Sequence, residues 1–126
     1  MSAVLLALVL AACGTTSTTP QRTGMVEVFI RDGATPAQLR ALEERVQAVP
    51  GVSAYKYVSK EEALRRFRER FGDRIVANLP MNPMPASYEL TVNDASSSYS
   101  VARRFFDDPA VDNDPGTHNG VKWTRE

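Results

Sequence analysis

Residues 57–64, YVSKEEAL, and residues 82–87, NPMPAS, decide the fold of this 126-residue chain. In the first stretch a strand-like run meets Ser59, and Glu62 follows at the spacing of a helix-capping box. The second stretch carries prolines, which interrupt both helix and sheet, and a strand-like run comes after it. The two stretches therefore delimit a predicted helical insert, residues 59–85, between two strands.

The first part of the insert is predicted to be an amphipathic helix that ends at Gly72. Its apolar stripe is surrounded by arginine and lysine side chains and consists of Ala63, Leu64, Phe67 and Phe71. One more helical turn is expected at residues 74–79. After that turn the prolines hold the return to the sheet in an irregular, rigid conformation.

The insert carries a small apolar cluster of its own, which consists of Phe67, Phe71, Ile75, Leu79, Met81 and Met84. We expect Phe67 and Ile75 to pack inward. For Phe71, Met81 and Met84, packing against the sheet and exposure to a partner both remain open, because so small an insert cannot bury all of these side chains.

The segment before the insert follows a strand–helix–strand pattern. Val26, Val28 and Ile30 recur at every second position of residues 26–31, as on the apolar face of a strand. Thr35 and Gln38 have the spacing of a capping box, and Pro36 occupies the first helical position between them. Residues 52–58 then form a second strand.

The segment after the insert repeats this pattern. Residues 88–93 alternate in the same way, a helix is expected from about residue 97 to 107, and residues 120–123 can form a short edge strand. Two such halves predict an α+β fold, a ferredoxin-like split βαβ sheet with both helices on one face. The helical insert lies between the halves.

The N-terminus has the pattern of a lipoprotein signal peptide. An apolar run at residues 3–9 is too short to span a bilayer, and LAACG at residues 10–14 reads as a lipobox whose Cys13 would be acylated. Cys13 is the only cysteine, so no disulfide forms within the chain. The predicted division is a signal peptide at residues 1–12, a Thr/Ser-rich tether at residues 13–24 and one folded domain at residues 25–126.

No pattern of catalytic, metal-binding or cofactor-binding residues is present in the sequence. Net charge is zero, so the basic excess of a nucleic-acid-binding protein is missing. His118 is the only histidine, and it is interpreted as a solvated loop residue. Asp108, Asp112 and Asp114 lack the spacing of a calcium loop and are interpreted as a solvated turn. We therefore expect no enzyme, no metal, no cofactor and no small-molecule substrate.

An ordered set of short motifs resembles the extracellular domain of FtsX, the permease-like membrane protein of bacterial cell division. The motifs in this chain are residues 26–29, 34–35, 50–52, 58–63, 67, 71–72 and 82–87. Their order is far more specific than any single one of them. The resemblance implies a protein outside the cytoplasm. Together with the lipobox, it predicts lipid anchoring to the outer face of the plasma membrane.

The resemblance also implies a role in protein recruitment. FtsX extracellular domains contact peptidoglycan hydrolases or their activators, and the helical insert offers the contact. The implied partner is a cell-wall hydrolase or another divisome component. The residues implied to bind it are Phe67, Phe71, Leu79, Met81 and Met84.

A second interpretation of the sequence remains open. FtsX is expected to carry a membrane helix before this domain and several after it, together with a cytoplasmic ATPase partner. The alternative interpretation is therefore a fragment or remnant of a full permease, with no independent role. In-frame hydrophobic helices in the DNA after the codon for Glu126 would favour that alternative.

Overall fold

The described part of the chain forms one four-stranded sheet. The computed structural model describes residue 14, residues 20–112 and residues 120–125. The strands are β1 (Gly24–Phe29), β2 (Val52–Val58), β3 (Ser87–Val92) and β4 (Val121–Trp123), arranged in the order β2-β3-β1-β4. Every neighbouring pair is antiparallel. This order is that of two interleaved βαβ halves, so the predicted ferredoxin-like α+β fold is confirmed.

In the described residues, three helices connect or follow the strands: α1 (Pro36–Ala48), α2 (Lys60–Phe71) and α3 (Ser98–Ala102). The predicted helix at residues 97–107 is therefore much shorter, and single 3-10 turns at Ala95–Ser97 and Arg103–Phe105 flank it. The run of serines at its start explains the difference, because serine side chains compete for backbone hydrogen bonds and weaken a helix. Within the described residues, no helix is long and apolar enough to cross a membrane.

The start of α1 matches the predicted capping box. The Thr35 hydroxyl accepts a hydrogen bond from the Gln38 N–H at 3.2 Å, and the Gln38 side-chain carbonyl accepts one from the Thr35 N–H at 3.0 Å. Pro36 occupies the first turn. Because these bonds satisfy amides that a helix start leaves unpaired, they fix where α1 begins.

The core lies between one face of the sheet and the two helices α1 and α3. Val26 and Val28 of β1 are fully buried there, and their neighbours on β1 point to the other face. The other large contributors to this cluster are Leu42, Val46, Leu90, Val92, Val101 and Phe105. Both helices therefore cover the same face, as predicted.

The insert connects two strands that are already neighbours. Val58 at the end of β2 lies opposite Ser87 at the start of β3. The insert thus replaces what would otherwise be a hairpin turn, and it emerges at one end of the sheet. The chain enters and leaves the sheet at the other end, where Gly24 lies opposite Val92 and the Thr124 N–H donates to the Met25 carbonyl at 2.9 Å.

Two predictions about burial are wrong. Ile75 was expected to pack inward, but it is 60% exposed. Its neighbour Val76 is buried instead, because the helix ends at Gly72 and a 3-10 turn at Asp73–Ile75 changes the direction of the chain.

The second wrong prediction concerns the turn that contains Asp108. This side chain is buried, accepts a hydrogen bond from the Ala110 N–H at 2.9 Å and pairs with Arg45 of α1 at 3.3 Å. Asp108 thus holds the end of the second half against α1, whereas Asp112 is partly buried. The predictions for the signal peptide, for Cys13, for Asp114 and for His118 lie outside the described residues.

Candidate functional site

A cleft of about 330 Å³ separates α2 from the face of the sheet that α1 and α3 leave uncovered. Phe67 and Phe71 line it from α2, Phe29 and Val58 line it from the strands, and Met84 closes it from the return segment. The walls are therefore mainly apolar. The cleft lies at the end of the sheet from which the insert emerges.

Local hydrogen bonds determine where α2 begins. The Ser59 hydroxyl accepts a hydrogen bond from the Glu62 N–H at 3.1 Å. The predicted capping box also needs a bond from the Ser59 N–H to the Glu62 carboxylate, and this bond is not formed among the described residues. The Glu62 carboxylate instead accepts hydrogen bonds from Arg65 at 2.7 and 2.8 Å and from Arg66 at 3.1 Å. These bonds lower the pKa of Glu62 to about 2, so this carboxylate is ionised at neutral pH.

One ion pair ties the middle of α2 to the sheet. Arg66 contacts Glu62 on its own helix and also pairs with Glu89 of β3. At the far end, Gly72 adopts a φ of 83°, and its N–H donates to the Arg68 carbonyl at 2.8 Å. Glycine adopts this left-handed conformation without strain, so α2 ends here as predicted.

Asn82 fixes the return segment against the start of α2. Its amide group donates to the Lys60 carbonyl at 2.8 Å, and its side-chain oxygen accepts a hydrogen bond from the Met84 N–H at 2.9 Å. Met84 is thereby placed at the mouth of the cleft. In the sequence, Asn82 stands out only as part of the motif at residues 82–87, with no role assigned to its side chain.

The apolar stripe of α2 is only partly covered by the protein. No residue of α2 is buried. The rings of Phe67 and Phe71 lie 4.8 Å apart, and Phe71 remains 55% exposed. Apolar side chains on a surface helix normally pack into a core, whereas this stripe is half-buried and leaves Phe71 open to solvent.

The five residues implied to bind a partner fall into two groups. Phe67, Phe71 and Met84 come together around the cleft. Leu79 and Met81 do not line it; they are 47% and 76% exposed on the loop beyond α2. The structure therefore provides an apolar cleft with a separate exposed apolar loop beside it.

Glu27 is the acidic side chain on the sheet side of the cleft. Its partial burial raises the pKa of this carboxyl group, and the nearby Glu89 adds to the effect. The hydrogen bond from the Ser87 hydroxyl, at 3.3 Å, and the charges of Lys122 and Arg66 oppose the increase. The cleft therefore holds a carboxylate that is less well solvated than one on an open surface.

Two cations at the cleft contact aromatic rings. The Arg70 guanidinium lies 5.5 Å from the centre of the Phe71 ring, and the Lys122 ammonium lies 5.0 Å from that of Phe29. Among the described residues, no carboxylate lies within ion-pair distance of either cation. Sequence reasoning missed Lys122, since only the β1–β4 register places it beside Glu27.

The sequence matches the family model described as the FtsX extracellular domain over residues 25–113. The chain belongs to the FtsX extracellular domain family. This confirms the resemblance found in the sequence, and the matched region is an extracytoplasmic domain related to cell division.

Relatives of known name and structure agree with this membership. The cell division protein FtsX of Pseudomonas putida is 29% identical over 85 residues, which cover 67% of this chain and 25% of that protein. The chain thus matches about a quarter of the length of this relative.

Two structures from Streptococcus pneumoniae share the fold at 18% identity. The crystal structure of extracellular domain 1 of FtsX in complex with undecyl-maltoside has a TM-score of 0.62, and the alignment covers 78% of this chain and 91% of that one. The solution structure of the large extracellular loop of FtsX has a TM-score of 0.58, with coverage of 78% and 96%.

Proposed function

We propose that this protein is a non-catalytic, lipid-anchored module of the cell envelope that binds another protein through its helical insert. The observation that carries the proposal is the amphipathic helix α2, which has no buried residue and leaves Phe71 55% exposed beside an apolar cleft. The proposed partner is a peptidoglycan hydrolase or another divisome component, by analogy with the family to which the chain belongs.

The chemistry of the cleft favours a partner segment that is both apolar and acidic. An apolar side chain of the partner would enter between Phe67, Phe71 and Met84, and each large side chain buried in this way contributes roughly 1.5–3 kcal/mol. Arg70 and Lys122 lie over aromatic rings and are available to carboxylates of the partner. Charge pairs at the rim of an interface mainly affect the association rate, so binding should weaken with added salt.

The comparison structure solved with undecyl-maltoside supports an apolar ligand for this fold. That ligand is an amphiphile with an alkyl chain, and its host is the similar domain from S. pneumoniae. By analogy, the domain described here would accept apolar side chains of a partner. Met81 and Leu79 on the adjacent loop would extend the contact, and methionine suits this role because its side chain is flexible and polarisable.

The lipid anchor rests on the lipobox around Cys13. Acylation at this cysteine would hold the domain at the outer face of the plasma membrane by a tether of about ten residues, and several acyl chains together make such attachment durable. Mass spectrometry of the mature N-terminus tests this part of the proposal. A diacylated Cys13 supports it, and an unmodified N-terminus upstream of Cys13 would contradict it.

Photocrosslinking in cells tests the partner and the surface together. A photoreactive amino acid at position 81, on the exposed loop, should yield one dominant adduct with a wall hydrolase or divisome protein. The matched control is position 44 on the exposed side of α1, which should not yield that adduct. Equal adducts at both positions, or none at position 81, would contradict the proposed surface.

A further inference from the structure

Three aromatic side chains form a second surface at the β4 edge of the sheet, on the side of α3. We call Tyr99, Phe106 and Trp123 the aromatic cluster. Their ring centres lie 5.5 Å apart for Tyr99 and Trp123, 5.8 Å for Phe106 and Trp123, and 6.3 Å for Tyr99 and Phe106. Tyr99 is 53% exposed, and the other two rings are partly buried against the core.

The aromatic cluster lies beside the point where the chain enters and leaves the sheet. Gly24 begins β1 directly against Ser98, so closely that a Cβ atom at Gly24 would lie 2.1 Å from the Ser98 hydroxyl oxygen. Tyr99 follows Ser98. Trp123 is the last residue of β4. The insert and its cleft lie at the opposite end of the sheet.

One arginine contacts the aromatic cluster, and a second lies at the same end of the sheet. The Arg125 guanidinium lies 5.4 Å from the centre of the Trp123 ring. Arg22 is exposed, and its carbonyl accepts a hydrogen bond from the Ala95 N–H at the start of the 3-10 turn before α3. The nearby Asp94 carboxylate is already bonded to the Ser96 N–H at 3.0 Å and to the Gln21 amide at 3.1 Å.

We propose that the aromatic cluster, with Arg22 and Arg125, contacts the surface of an anionic lipid bilayer. Tyr and Trp side chains prefer the boundary between water and lipid, because each has an apolar ring and one polar group. Arginines beside them attract anionic headgroups. This inference rests on the proposed tethering of the domain to the membrane.

The tether alone would not orient the domain. Ten residues lie between Cys13 and Gly24, and this segment can span at most about 40 Å, whereas a six-residue strand is only about 20 Å long. Either end of the sheet could thus reach the bilayer. Contact through the aromatic cluster would select one orientation, in which the cleft of the insert points away from the membrane.

Trp123 is the only tryptophan in the chain and reports this contact directly. The full chain is reconstituted into vesicles of phosphatidylethanolamine and phosphatidylglycerol, with and without acyl chains that are brominated near the headgroup. Bromine quenches tryptophan only at close range, so we expect loss of most of the Trp123 emission with brominated lipid. The reporter control combines Trp123→Phe with Met81→Trp, and the tryptophan at the insert should keep its emission.

Charge variants separate lipid contact from simple proximity. Arg22→Gln with Arg125→Gln should restore Trp123 emission on these vesicles, whereas Arg40→Gln with Arg74→Gln, two exposed arginines elsewhere, should not. Co-sedimentation with unquenched Trp123 would overturn the inference and leave the tether intact. Equal quenching at positions 81 and 123 would also overturn it. A chain that does not co-sediment would overturn the tether and the inference together.

Discussion

At the scale of single residues, the protonation of the Glu27 carboxyl group in the cleft affects the stability of the fold. Partial burial raises the pKa of its carboxyl group above the ordinary value of 4.5. The folded protein therefore binds this proton more tightly than the unfolded chain does. The corresponding stabilisation is fully present below about pH 4.5 and is lost as the pH rises through the raised pKa.

Replacing Glu27 by glutamine should raise the stability at neutral pH. The amide keeps an oxygen that can accept the hydrogen bond from Ser87 but carries no charge to desolvate. We expect a higher Tm than that of the parent at pH 7. Below about pH 4.5 we expect no difference, because the Glu27 carboxyl group of the parent is then protonated and also uncharged. Calorimetry over this pH range is the measurement. Glu44→Gln, at an exposed position of α1, is the control. A lower Tm for Glu27→Gln at pH 7 would contradict this account.

Asp108 is the clearest case of a buried polar residue that supports the fold. Asp108→Ala leaves the Ala110 N–H without its partner, and we expect it to lower the free energy of unfolding by about 1–3 kcal/mol. Asp107→Ala is the matched control, because Asp107 is exposed, and its effect should stay within about 0.5 kcal/mol. Urea denaturation measures both; similar effects of the two changes would show that the buried bond is unimportant.

At the scale of elements, α1 and α2 differ in what holds them. Leu42 and Val46 of α1 are fully buried in the core, whereas α2 has no buried residue. The polar contacts that hold α2 include its Ser59 cap, the bond from Asn82, and the ion pairs from Arg66 to Glu89 and from Lys60 to Asp32. Helices with few buried apolar contacts open locally at low cost, so α2 should be the less stable of the two.

Loss of the Ser59 cap should therefore affect α2 alone. Removal of an N-cap hydroxyl costs about 1 kcal/mol, which corresponds to roughly fivefold faster amide exchange where opening is local. For Ser59→Ala we expect this increase in α2 and unchanged exchange in α1, measured by hydrogen–deuterium exchange. Thr35→Ala, the matched change at α1, should instead lower global stability. Unchanged exchange in α2 of Ser59→Ala would refute this difference.

Sequence patterns predicted those elements whose signals are local. Capping residues and periodicity predicted α1, β1, the start of α2 and its end at Gly72, because these depend on neighbours in the chain. Burial at Ile75 and Asp108 was wrong, because it depends on the path of the chain after a turn and on a contact with a distant helix. The cation at Lys122 was missed for a similar reason, as it reaches the cleft only through the β1–β4 register.

At the scale of the whole molecule, the two ends of the sheet carry different features. The chain enters and leaves at one end, beside the aromatic cluster, and the insert emerges at the other. Ala86, the residue just before β3, belongs to the core cluster, but no residue of the insert at 59–85 does. The sheet and its core should therefore form without the insert.

Replacing residues 59–85 by Asn-Gly tests this independence. With Ala86 retained, the new connection between Val58 and Ser87 is a three-residue hairpin loop containing glycine. We expect a cooperative thermal transition, with a smaller loss of stability than the approximately 3–5 kcal/mol expected for Phe105→Ala in the core. A molecule without a cooperative transition would show that the insert is needed for folding.

The most direct test of the central claim, that the cleft of the insert binds a partner protein, is an equilibrium titration with the protein captured at position 81. Phe71→Ser with Met84→Ser should weaken binding at least tenfold, because two central apolar contacts are lost, while circular dichroism stays native. Tyr99→Ser, at the other end of the sheet, should bind this partner as the parent does. Equal affinity of the parent and the Phe71→Ser/Met84→Ser chain would contradict the assignment of the cleft.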